Sequence, residues 1–289
     1  MRINRRWFML SLVSAAAFGC PDRGFAEEGK ALFWRIKTRD NRSGIVFGYG
    51  RIAASLAPDL VRDGERLVRH ASHVVLDMNS FTFTSKNLSN LPPPPLLPRL
   101  SQAVAAELRI VLTGLGMTQQ QVESAFGLLV VVSLTGEGQT KAVPSVGDVI
   151  VNRAIKLGRS ITFLLAENEA RQLILPVDTA ALNDTVDEKM ITSLLGLRRL
   201  VGPIGAHSDK LYLDRKSEEL YRFSNTLVAY GVPGSDSYVR YNRDLLFSRF
   251  SDALTTQQPF FLLPVGTLTG PDGILQVFRQ QGAEVSIVA

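Results

Sequence analysis

Strand-like apolar runs stand at both ends of this chain, and helix-like periodicity fills the stretch between them. That arrangement is the strongest constraint on the fold. Two short runs, Ala31–Lys37 and Gly44–Tyr49, flank a polar, turn-rich link and read as a β-hairpin. His73–Met78 and Ile161–Leu165 read as buried strands, as do Pro259–Val265 and Glu284–Val288 near the C-terminus. The strands are split between the two ends of the chain with helices between, so one sheet drawing on both ends is expected. Helical spacing marks Pro58–Arg69, Leu100–Val111, Gln119–Leu129, Ser145–Leu157 and most of 178–230. Gly158 closes the Ser145 helix, and Tyr238–Leu254 and a segment ending at Gln281 follow later. The expected fold is one α/β domain. Its mixed sheet takes strands from both chain ends, helices flank it, and a helical insert lies near 96–157.

Residues 1–26 do not belong to that domain. Arg2, Arg5 and Arg6 precede an apolar run from Trp7 to Phe18, and Gly24-Phe25-Ala26 supplies small residues at a cleavage site. This is the build of a signal peptide, too short in its apolar part to be a membrane span. Asn4-Arg5-Arg6-Trp7-Phe8-Met9 looks like a twin-arginine signal; an ordinary secretory signal containing Arg-Arg is the alternative. A third reading places a lipid anchor on Cys20, although bulky Phe18 sits where a small residue is usual. The mature domain would then be 27–289, periplasmic or secreted, with no transmembrane helix.

The 289 residues are 45% hydrophobic, enough to bury one large core. The leader holds +3 of the formal charge of +5, so the rest is only mildly basic at +2. No basic helix and no interleaving of aromatics with Lys or Arg is present, which argues against a nucleic-acid partner. Cys20 is the only cysteine, so a chain cut after Ala26 has no disulfide, no thiolate metal ligand and no cysteine nucleophile. The Pro92–Pro95 run is read as a stiff polyproline II connector.

In open α/β sheets, ligands gather beyond the carboxyl ends of the strands. Arg51, Asp77, Glu167 and Thr267 each follow an apolar run at such a position. From Ala31 onward the order of segments resembles the TraB/GumN family, relatives of the Tiki-type metalloproteases. The resemblance rests on Leu32-Phe33-Trp34-Arg35-Ile36 and Val46-Phe47-Gly48-Tyr49-Gly50-Arg51. It continues through Val75-Leu76-Asp77-Met78-Asn79, Gly147-Asp148, Gly158-Arg159 and Leu165-Ala166-Glu167. Its closing segment is Phe261–Leu275, with Tyr241-Asn242 standing where the family has Arg-Asn.

The resemblance implies a site at these strand ends, and the departures bear on its chemistry. Where the family's two Gly-x-x-His motifs would supply metal ligands, this chain has Arg51 and Thr267. A guanidinium has no lone pair to give, and a threonine hydroxyl is a weak ligand. The candidate cleft residues are therefore Arg51, Asp77, Glu167, Asn242 and Thr267, with no metal expected. A weakly bound divalent cation such as Ca²⁺ or Mg²⁺ on the two carboxylates is the alternative. The expected function is that of a non-catalytic binding protein, and the alternative is a metal-dependent hydrolase or protease with rearranged ligands. His70, His73 and His207 are expected to be non-ligands, with His207 in a loop. An ion pair from Arg51 to Asp77, Glu167 or both is expected in place of a metal.

Overall fold

A computed structural model of the protein describes residues 30–77, 93–140, 144–166, 169, 183–232, 243–255 and 257–288. Its strands are β1 (Phe33–Lys37), β2 (Ser43–Tyr49), β3 (Val74–Leu76), β4 (Ile161–Phe163), β5 (Phe260–Pro264) and β6 (Glu284–Ile287). They form one six-stranded sheet in the order β4-β3-β5-β2-β1-β6. The four strands from β4 to β2 run parallel, whereas β1 is antiparallel to both β2 and β6. The sheet thus joins strands from the two ends of the chain, as expected from the apolar runs.

The helices, in chain order, are α1 (Pro58–Val68), α2 (Gln102–Gly114), α3 (Gln119–Glu123), α4 (Gly127–Thr135) and α5 (Val146–Lys156). They continue with α6 (Glu188–Val201), α7 (Ile204–Leu213), α8 (Ser217–Ala229), α9 (Arg243–Ala253), α10 (Val265–Leu268) and α11 (Ile274–Gln280). The described part of the stretch near 96–157 is mainly helical, as its spacing implies. No described helix is long and apolar enough to cross a membrane.

Burial explains the order of the sheet. The middle strands β2 and β5 are buried on nearly every residue, which their unbroken apolar sequences Ile45-Val46-Phe47 and Phe260-Phe261-Leu262-Leu263 permit. The outer strands β4 and β6 are short and partly exposed. Alternation sends Phe33 and Trp34 to opposite faces of the sheet. Phe33 stacks on Phe47 with ring centroids 4.5 Å apart. Over it, Gly64 lets α1 approach α5 so closely that a Cβ there would lie 2.2 Å from Ile150 Cδ1. On the other face Trp34, 1% exposed, packs against the backbone of Gly48.

Asp148, Gly158 and Arg159 have plain structural roles. Ser145 and Asp148 form a reciprocal capping box at the start of α5. Gly158 ends that helix at φ +68°, a conformation suited to glycine, and Arg159 donates to the Arg69 carbonyl at the end of α1, 2.8 Å away.

Several expectations are corrected. The Gln119–Leu129 segment is two helices, because Ala125 leaves the helical path and its carbonyl accepts the Leu96 N–H at 2.8 Å. His207 lies in α7, not in a loop, and its ring meets Phe223 at 4.9 Å. The fourth strand stops at Phe163, three residues before Ala166. The fifth stops at Pro264, which has no N–H to extend a ladder, and the next four residues turn into α10. Pro92 and the segment 170–182 lie outside the described residues.

Candidate binding site

Parallel pairing brings the carboxyl ends of β3, β5 and β2 to one edge of the sheet. Asp77 follows β3 directly, Thr267 lies on α10 after β5, and Arg51 lies two residues past β2. All three are therefore at the same edge of the sheet, but no hydrogen bond or ion pair joins them. Asp77 is 3% exposed and accepts from the Tyr49 hydroxyl, which reaches across β5 to its Oδ2 at 3.2 Å. Thr267 is buried, and its hydroxyl donates to the Pro264 carbonyl at 2.7 Å, closing the turn of α10. Arg51 is exposed and forms no ion pair with Asp77. Glu167 and Asn242 lie outside the described residues.

Arg51 instead borders a cavity of about 170 Å³ with Gly50, Ile52, Gln139, Ser208, Asp209, Tyr212, Leu220, Ser224 and Val265. Its wall comes from the end of β2, from α7 and α8, and from the loop after α4. Tyr212 fixes the geometry. Its hydroxyl donates to the Gly48 carbonyl at 3.0 Å, and its ring lies so near Gly50 that a Cβ there would be 2.9 Å away. Burial pushes the Tyr212 phenol well above its usual range, so it stays a neutral donor.

Asp209 is the unusual member. It is 8% exposed, and one oxygen accepts the Thr140 N–H at 3.2 Å. No Lys, Arg or His among the described residues pairs with it. Burial raises its pKa, and the Thr140 bond offsets that only in part. The side chains of Gln139, Ser208 and Ser224 border the same space and make no hydrogen bond to described residues. A second cavity, about 240 Å³, shares Gln139 and Ser208 in its wall and is otherwise largely apolar, with Val132, Ile204, Phe223 and Leu227.

Sequence reasoning found Arg51 but not Asp209, which lies in a stretch read only as helical. A signal was present. Gly205, Asp209 and Tyr212 fall at i, i+4 and i+7, so the acid occupies the buried stripe of α7. An acid in such a stripe needs a partner or a ligand.

Among the described residues, no three or more His, Cys, Asp or Glu side chains cluster as metal ligands would. The chain matches no known family model, no characterised protein and no solved structure.

Proposed function

We propose that this is an exported TraB/GumN-like protein, degenerate at the metal site, that uses its cleft to bind a ligand without hydrolysing it. One observation carries the reading: the side chains standing where ligand histidines are expected are unsuited to a metal. Arg51 has no lone pair, and the Thr267 hydroxyl is held in the α10 turn by Pro264. The chain instead offers a cavity at the end of β2 bordered by the charged side chains of Arg51 and Asp209. Open α/β sheets commonly hold ligands at that edge. The leader supports work outside the cytoplasm, in the periplasm or beyond.

The test is the metal content of the protein as purified from the cell, by mass spectrometry of the elements. Substoichiometric transition metal is expected. A full equivalent per chain would overturn the binding-protein reading in favour of a hydrolase with rearranged ligands.

A further inference from the structure

We infer that the cavity at the end of β2 binds a small zwitterion, with its ammonium group on Asp209, its carboxylate on Arg51 and an apolar substituent in the adjoining cavity. This rests on the binding-protein reading, because it takes the cleft to hold its ligand intact.

Asp209 sets the first requirement. A carboxylate buried without a cation is unfavourable, and a ligand bearing positive charge relieves it. Only one of its oxygens is engaged, by Thr140, which leaves Oδ1 to accept from a ligand. An ammonium group brings charge and three donors to that oxygen and to the Ser208 and Ser224 hydroxyls. A metal ion suits the site poorly, since one carboxylate is far from the six to eight oxygen ligands that calcium takes.

Arg51 sets the second requirement. It borders the same cavity and forms no ion pair with Asp209, so a ligand in that space can meet both charges. A simple anion would meet repulsion from Asp209, and a simple amine would leave Arg51 unused. A molecule with both charges a few bonds apart complements both walls, and the Arg51 fork suits a carboxylate.

Size and lining set the third. At about 170 Å³ and 240 Å³, the two cavities fall below the roughly 300–1,000 Å³ of pockets for drug-sized ligands. The first, which Asp209 and Arg51 border, fits a charged head. The second, which shares Gln139 and Ser208 with it and is also lined by Val132, Ile204, Phe223 and Leu227, fits a short hydrocarbon branch. A free α-amino acid with an aliphatic side chain has this layout.

Calorimetric titration of the protein as purified tests the assignment. The probes are L-leucine, 3-methylbutylamine (leucine without its carboxylate) and 4-methylpentanoate (leucine without its ammonium). Leucine is expected to bind tightest and 4-methylpentanoate weakest. Asp209→Asn should weaken leucine by at least about thirtyfold, the low end for truncating one partner of a buried charge pair. It should weaken the amine as well. Arg51→Gln should weaken leucine several-fold, less because Arg51 is exposed, and leave the amine unchanged. A melting curve of Asp209→Asn at or above the wild-type midpoint shows that any loss is not unfolding. No heat from leucine at millimolar concentration, or equal affinity in wild type and Asp209→Asn, overturns the assignment. Metal analysis of the same preparation separates the two claims. A metal-free protein that ignores leucine refutes the zwitterion and leaves the binding-protein reading standing. A metal-loaded protein that binds leucine through Asp209 does the reverse.

Discussion

The Tyr212 hydroxyl donates to the Gly48 carbonyl oxygen at 3.0 Å, tying α7 to the last residues of β2. The bond sets Asp209, three residues earlier on α7, against the cavity that Arg51 borders. Tyr212→Phe keeps the ring and removes the bond, so it should cost about 1 kcal/mol. Gly50→Ala should cost about 1–3 kcal/mol, because a Cβ there meets a ring that the bond holds in place. In the Tyr212→Phe background the same change should cost less, since the ring can then shift. Urea unfolding of the four proteins closes the cycle. Strict additivity would show that the ring is not pinned by its hydroxyl.

Trp34 is buried in β1 against Gly48, and its loss would open a large void. Trp34→Ala should destabilise by about 3–5 kcal/mol. A loss below about 1 kcal/mol in equilibrium unfolding would contradict its core position.

Trp34 also shows what was legible in the sequence. The apolar runs are continuous and rich in aromatic and β-branched residues, so all six strands could be read, together with the joining of the chain ends in one sheet. Capping residues and Gly158 likewise mark α5, because those signals act within a few residues. What could not be read depends on contacts far apart in sequence. The break at Ala125 serves Leu96, about thirty positions away. Thr267 seemed to end a strand because Pro264 and Val265 continue an apolar run, yet proline ends the ladder first. The expected Arg51–Asp77 pair took the two strand ends to converge, but β5 lies between β2 and β3. Instead Tyr49 takes Asp77, and Arg51 turns toward α7.

The loop that carries Gln139 and Thr140 is anchored by Glu137. This carboxylate is 8% exposed and accepts two hydrogen bonds from the Arg198 guanidinium, at 2.6 and 2.8 Å. The pair is asymmetric, because the Arg198 side chain is 32% exposed. Arg198→Ala strands a buried carboxylate and should cost about 3 kcal/mol, the low end for breaking a buried pair. Glu137→Ala frees a guanidinium that reaches water, and should cost about 1 kcal/mol. Equal costs in denaturant unfolding would contradict the burial difference.

Export can be tested apart from the fold. Replacing Arg5 and Arg6 together by lysine should stop a twin-arginine route and spare a general secretory one. Cell fractionation with immunodetection reads the outcome. Retention of the precursor in the cytoplasm supports the twin-arginine signal, and normal export of the double variant assigns the leader to the secretory route.

Asp209 gives the stability of the protein a pH dependence opposite to that of an ion-paired carboxylate. Its pKa is raised by burial in the folded state, with partial relief from the Thr140 N–H and no contribution from a neighbouring charge. Below its ordinary value of 3.8, both folded and unfolded chains hold the proton, and the residue contributes no difference. As pH rises past that value, the unfolded chain releases its proton first while the folded chain retains it. The folded state then binds more protons, so stability falls with pH until the folded carboxyl ionises too. The penalty is complete once the folded carboxyl has ionised. Asp209→Asn removes the titration and keeps an oxygen for Thr140. The variant should therefore gain on wild type as pH is raised from about 3 to about 7 in urea titrations. A stability difference that stays flat over that range, or shrinks, would show that Asp209 is not desolvated in the fold.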